Sequence, residues 1–246
     1  MNTARALVCV LAAALSVALA PTIHAANFGV SPLSLDLTTQ QRSAVITVSN
    51  DDSKTITLKV HAVRWTQNEA GEDQYQPTED LVFFPKRLEI KPGEQRIIRT
   101  GLPALPLTGT ERAYRLFVEE LPPVEMPTDG QTKLSVLLSF ALPVFVAPAV
   151  TSAKLNVVSA ELSRDGTLSM QLANVGATRA RISRVVSDDG KLTSDSVSSR
   201  YVFPTVARTV NAKLGADACR QAPKRLKLEL DSQLIDVTIT RSACAS

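Results

Sequence analysis

The chain of 246 residues carries 27 basic and 24 acidic side chains, a formal net charge of +3, and 44% hydrophobic residues. Charges of both signs are mixed along its length, which argues against a nucleic-acid-binding tract. With two histidines, three cysteines and no CxxC spacing, nothing in it reads as a zinc or thiol redox site.

Residues 1–25, "MNTARALVCVLAAALSVALAPTIHA", place one basic residue, Arg5, before an apolar run from Ala6 to about Ala20, and end in small residues near Ala25. This is the pattern of a secretory signal peptide. A run of roughly fifteen residues falls short of the ~20 that span a bilayer, and Pro21 with the small-residue exit favours cleavage over a retained anchor. The expected mature chain starts near Ala26. It is expected to be soluble, without membrane insertion, and long enough for two domains of ~100 residues or one large one. Cleavage removes Cys9 and leaves Cys219 and Cys244. In an exported protein such a pair points to one disulfide, the alternative being two free thiols.

From Phe28 onward the chain reads as strand after strand. "SAVITVSND" (43–51) alternates and stops at Asn50-Asp51-Asp52, residues that favour turns. "TITLKVHAVRW" runs from Thr55 to Trp65 with Ile56, Leu58, Val60 and Ala62 in alternation. The polar stretch 66–80 follows as an expected loop. "LVFFPKRLEI" (81–90) is the next strand, closed by the turn signal Lys91-Pro92-Gly93, and "EQRIIRTGL" (94–102) begins another. "ERAYRLFVEELPP" (111–123) is again extended and ends at Pro122-Pro123. About seven short strands before Pro148, with no amphipathic helix, form the pattern of an immunoglobulin-like sandwich.

The last of these strands is unusual. "LSVLLSFALPVFVAP" (134–148) sets Leu134, Val136, Leu138, Phe140 and Leu142 on one face and Ser135, Leu137, Ser139 and Ala141 on the other, and neither face carries a charge. Beyond Pro148 the pattern restarts. "AKLNVVSAEL", "GTLSMQLAN", "TRARISRVVS", "YVFPTVARTVNAKL", "KRLKLEL" and "IDVTIT" are strand candidates separated by turns at Asp165-Gly166, Asn174 to Gly176 and Asp189-Gly190. A second β domain is expected, its last strands tied by Cys219 and Cys244.

Chemistry for catalysis is hard to find. His61 lies within an alternating strand with no nucleophile or orienting group near it in sequence. Glu72, Asp73, Glu79 and Asp80 cluster in the polar stretch, but their spacing fits no EF-hand and reads as a solvated acidic loop. No glycine-rich phosphate loop is present. An exported hydrolase therefore has little support.

Taken in order, "FGVSPLSLDL", "AVITVSND", "VHAVRW", "FPKRLEIKPGEQRIIR", "ERAYRLFVEELPP" and "LSFALPVFVAP" resemble the periplasmic pilus-assembly chaperones of the chaperone–usher pathway, PapD-like in fold. The resemblance covers nearly the whole mature chain. "RAYRLFVEELPP" and "LPVFVAP" are most similar to the divergent branch serving archaic or spore-coat-type secreted pili. The resemblance implies an all-β chain of two immunoglobulin-like domains, 26–149 and 150–246, in an angled, boomerang arrangement with a subunit-binding cleft between them. It implies a non-enzymatic periplasmic chaperone that uses neither cofactor nor nucleotide. Its partners would be pilus or coat-protein subunits and an outer-membrane usher. A two-domain structural or adhesive surface protein is the alternative reading.

In that family an edge strand of the first domain completes the unfinished fold of a subunit. Proteins normally suppress a long apolar edge unless pairing with another chain is its task. Leu134, Val136, Leu138 and Phe140 are the expected donor residues. The free form could also shield such an edge by self-association. The better-known members hold the subunit's terminal carboxylate with an arginine and a lysine, whose places here are Ser34 and Pro143. Arg115 is the first candidate substitute and Arg112 the second, with Arg99 more distant. Alternation along the strand sets Arg115 and Arg112 on opposite faces. Arg64, Glu119 and Arg179 have no partner assignable from sequence, and Trp65 and Tyr114 are expected in the core or cleft wall.

Overall fold

The computed structural model describes residues 28–68, 70–103, 109–122, 136–231 and 233–244. The expected signal sequence, Leu134 and the loop before it lie outside these residues. In chain order the first sandwich has β1 (Phe28–Ser31), β2 (Leu35–Leu37), β3 (Ser43–Asn50), β4 (Ile56–Gln67), β5 (Asp73–Pro77), β6 (Val82–Phe84), β7 (Arg87–Ile90), β8 (Gln95–Gly101), β9 (Arg112–Glu120) and β10 (Ser139–Val146). One sheet has the order β1-β3-β8-β6. The other has β2-β10-β9-β4-β5, with β7 also on β4. Between them lie Leu37, Ile46, Leu58, Ile90, Ile98, Leu116 and Leu142, all buried. Each such side chain contributes about 1.5–3 kcal/mol by leaving water.

Prolines mark where the chain changes sheet. The expected single strand over 81–90 is two: β6 pairs with β8 in one sheet, and β7 pairs with β4 in the other. Pro85 between them has no N–H for a ladder and a fixed φ, so continuous pairing stops there. Pro32 likewise separates β1, on β3, from β2, which runs parallel to β10. The expected loop 66–80 contains β5, paired with β4 from Gln67–Asp73 to Val63–Pro77. All five β5 residues are exposed, so no hydrophobic alternation marks it in the sequence.

The second sandwich has β11 (Leu155–Leu162), β12 (Thr167–Asn174), β13 (Ala180–Ser187), β14 (Thr193–Ser194), β15 (Tyr201–Val202), β16 (Ala207–Lys213), α1 (Asp217–Gln221), β17 (Arg225–Leu230), β18 (Leu234–Thr238) and β19 (Arg241–Ser242). Its sheets are β16-β12-β11-β19 and β14-β13-β17-β18, with β15 on β13. The stretch expected as one strand over 201–214 is broken at Pro204-Thr205, so that β15 and β16 join different sheets. The short helix α1 was not expected. It carries Cys219, which is bonded to Cys244 across a Cα separation of 5.0 Å, so the expected disulfide is present.

The two sandwiches meet through an aromatic cluster. Trp65 and Phe145 of the first domain pack against Tyr201 and Phe203 of the second, with ring centroids 4.6–6.4 Å apart. Gln67 bridges the junction in both directions: its side-chain amide donates to the Tyr201 carbonyl at 3.2 Å and accepts from the Phe203 N–H at 3.0 Å. Arg179 of the second domain pairs with Asp36 and, at 2.6 Å, with Glu111, and lies 3.5 Å from the Phe145 ring centroid. The Glu111 side chain is 3% exposed. Burial raises its pKa, and the Arg179 charge pulls it back only partly.

Candidate functional site

β10 is covered on one side only in part. β9 runs antiparallel to its whole length, from Ser139–Glu119 to Val146–Arg112. On the other side β2 reaches only Val144, Phe145 and Val146. Among the described residues no strand pairs with Ser139–Pro143 on that side.

The register decides which groups that edge presents. The Glu120 N–H donates to the Leu138 carbonyl at 2.9 Å, so even-numbered positions of β10 turn their main-chain groups toward β9. Ser139, Ala141 and Pro143 then turn theirs away from it. Pro143 has no N–H to offer, which is why a proline is tolerated inside this strand.

Side chains on the even positions run out of the core in order. Leu142 is buried. Phe140 and Leu138 are half-buried at the rim of the core, with Phe140 edge-on to Phe28 at 5.1 Å. Val136 is 64% exposed. The expected apolar stripe is thus continuous with the core at its lower end and open to water at its upper end.

The odd positions share a face with the domain junction. Rows of paired residues climb from it: Phe145, Ala113 and Trp65; then Pro143, Arg115 and Val63; then Ala141, Phe117 and His61. The lowest row packs on the second domain, and Arg115 stands directly above it. Its guanidinium carbon lies 3.8 Å from the Trp65 ring centroid, and Nη1 donates to the Ala141 carbonyl at 3.1 Å. Arg115 Nε is buried and has no hydrogen-bond partner among the described residues.

Arg112 lies on the opposite face, as alternation requires, beside Tyr114. Tyr114 is wholly buried and its hydroxyl donates to Asp80 at 3.2 Å. Burial foremost, and then the Asp80 charge, raise its pKa. Arg99 belongs to the other sheet, on β8, and Ser34 is exposed between β1 and β2. Trp65 is buried in the cluster between the two domains. His61 stacks on Phe117 at 4.8 Å with Nδ1 3.5 Å from Glu119, while Arg64 is exposed.

Sequence reasoning missed the roles of Gln67, Glu111 and Asp36 at the junction, because none has a local pattern pointing to a partner over 60 residues away in sequence. It also missed the Ala141 carbonyl. A main-chain acceptor leaves no residue signature, and only the register of β10 reveals it.

The model of the pili and flagellar-assembly chaperone family, PapD N-terminal domain, matches residues 27–152. No curated protein matches the chain by sequence. Among solved structures it is similar to the chaperone CsuC in its pre-assembly complex with the tip adhesion subunit CsuE, from archaic chaperone–usher Csu pili of Acinetobacter baumannii. Identity is 17%, coverage 88% of this chain and 99% of the other, and the TM-score 0.60. A Salmonella enterica complex of the SafA pilin with the SafB chaperone matches at 14% identity, 89% and 99% coverage and a TM-score of 0.59. The E. coli chaperone DraB matches at 15%, 87% and 99%, and 0.58. At such identities the likeness is one of fold: two immunoglobulin-like sandwiches in one chain. The family match spans half the chain and, with that fold, shows that this protein belongs to the PapD-like pilus-assembly chaperones and is not an enzyme.

Proposed function

We propose that this protein is a periplasmic, ATP-independent chaperone that holds pilus or secreted-coat subunits by donor-strand complementation and delivers them to an outer-membrane usher. The observation that carries the reading is the uncovered edge of β10 over Ser139–Pro143, beside the stripe of Val136, Leu138 and Phe140. An edge of this kind takes an added strand through main-chain hydrogen bonds and reads it through alternate side chains. The complexes of CsuC with CsuE and of SafB with SafA are consistent with such a partner.

Arg115 is the proposed anchor for the subunit's terminal carboxylate. Arginine meets a carboxylate with paired, charge-assisted hydrogen bonds, and here one donor is buried and unused. A strand ending at Arg115 and lying on the free edge points toward the domain junction, as β10 does. The added strand is therefore parallel to β10.

The test is expression with the native leader and a C-terminal tag, recovery from the periplasm, and mass spectrometry of what accompanies it. A small partner in equal amount is expected, lost on Val136→Asp, where the side chain is exposed, and on Leu138→Asp. Recovery of the chain alone or within cell-surface fibres would favour a structural or adhesive role instead.

A further inference from the structure

Arg115 is already engaged within its own chain. It reaches from β9 over the row of Pro143 to the carbonyl of Ala141, and that carbonyl belongs to the uncovered edge. Pro143 removes one donor from the same edge, and β2 covers everything beyond it. The groups next to the junction are thus blunted by one missing N–H and one carbonyl held by a positive charge. What is left open lies further up, at Ser139 and the Ala141 N–H.

We infer that Arg115 is a gate as well as an anchor: it holds the Ala141 carbonyl until a chain terminus takes the guanidinium, so that the lower edge opens only to a strand ending in a carboxylate. The inference rests on the donor-strand reading above and names the selectivity of that site. An incoming N–H meets a carbonyl already bonded to a cation, and the guanidinium charge opposes the positive end of the arriving dipole. A strand with a free terminus supplies a carboxylate in place of that carbonyl as it docks. A strand passing through without a terminus, including the β10 edge of a second copy, supplies nothing and must displace Arg115 uncompensated. Charged side chains at an edge are a common protection against unwanted pairing. This one would be released by the correct ligand.

Arg115→Met is the informative variant, since its unbranched side chain still covers Trp65 but cannot donate. The probes are two short synthetic peptides of alternating valine and threonine, one with a free C-terminal carboxylate and one with a C-terminal amide. Wild type is expected to prefer the acid by about tenfold or more. In Arg115→Met acid binding falls, amide binding rises above the wild-type value, and sedimentation shows stronger self-association. If acid binding falls while amide binding and self-association match wild type, Arg115 is an anchor only and the gate is overturned. If neither protein takes either peptide, both the gate and the donor-strand reading fail.

Discussion

Asn50 and Asn174 hold the same place in the two sandwiches. Each is buried at the end of a strand, and its side-chain amide donates to two main-chain carbonyls, those of Lys54 and Ile90 for Asn50 and those of Thr178 and Val202 for Asn174. Each carboxamide oxygen accepts from the N–H two residues on, at Asp52 and Gly176. Replacing either by alanine removes three hydrogen bonds at buried or half-buried sites, at a cost of about 2 kcal/mol or more. Urea unfolding of Asn50→Ala and Asn174→Ala should show a lowered midpoint for the affected domain. Unchanged midpoints would mean that water replaces the side chain at no cost.

The correspondence extends to the turn that feeds each asparagine. The N–H of Gly93 donates to the Asn50 carbonyl, and that of Thr205 donates to the Asn174 carbonyl, each at 2.9 Å. Both residues have positive φ, 73° for Gly93 and 63° for Thr205. A β-branched residue is strained there, by about 1–2 kcal/mol relative to glycine. Thr205→Gly should therefore stabilise the second domain, less the entropy that glycine loses on folding. A lower stability would show that the Thr205 hydroxyl, bonded to the Pro204 carbonyl, outweighs the strain.

Glu111 gives the domain junction a distinctive pH dependence. Burial raises its pKa above 4.5, Arg179 opposing. The folded chain therefore keeps a proton on Glu111 over a range in which the unfolded chain has lost it. This contribution to stability is full below the unfolded value and is lost as pH rises through the folded value. Relative to Glu111→Gln, the wild type should gain stability as pH falls from neutrality toward 4.5. Parallel stability curves for the two proteins would contradict the assignment.

Gly71 locks the β4–β5 turn against the second domain. It has φ +78°, and a Cβ there would lie 2.1 Å from Cβ of Arg208. Gly71→Ala must push this turn off β16. Trp65 is the sole tryptophan and is buried at the junction, so its emission reports the change. A red shift with unaltered far-ultraviolet circular dichroism is expected. An unmoved emission maximum would show that the junction holds without the turn.

The core strands were legible because half-buried strands alternate: β3 and β12 bury every second residue, β4 does so from Ile56 to Val60 and β9 from Tyr114 to Val118, while bulges at Val157/Ser159 and Ile182/Arg184 shift the phase within β11 and β13. β5 was not, because it buries nothing, and 81–90 read as one strand because its hydrophobicity runs on past the sheet change at Pro85. The apolar stripe around Leu138 was visible in the sequence, and the opposite facing of Arg112 and Arg115 followed from alternation. Placement of Arg115 beside Trp65 and Ala141 depends on pairing between strands distant in sequence, which no local pattern encodes. The same holds for Arg179, whose partners Asp36 and Glu111 come from the other domain.

The most direct measurement of donor-strand pairing is amide hydrogen exchange at Ser139 and Ala141, whose N–H groups the register turns toward the uncovered edge. Both should exchange rapidly in the free protein and become strongly protected in the complex recovered from the periplasm, while the even positions bonded to β9 change little. Equal exchange at Ser139 and Ala141 in the free and bound states would contradict strand addition at this edge.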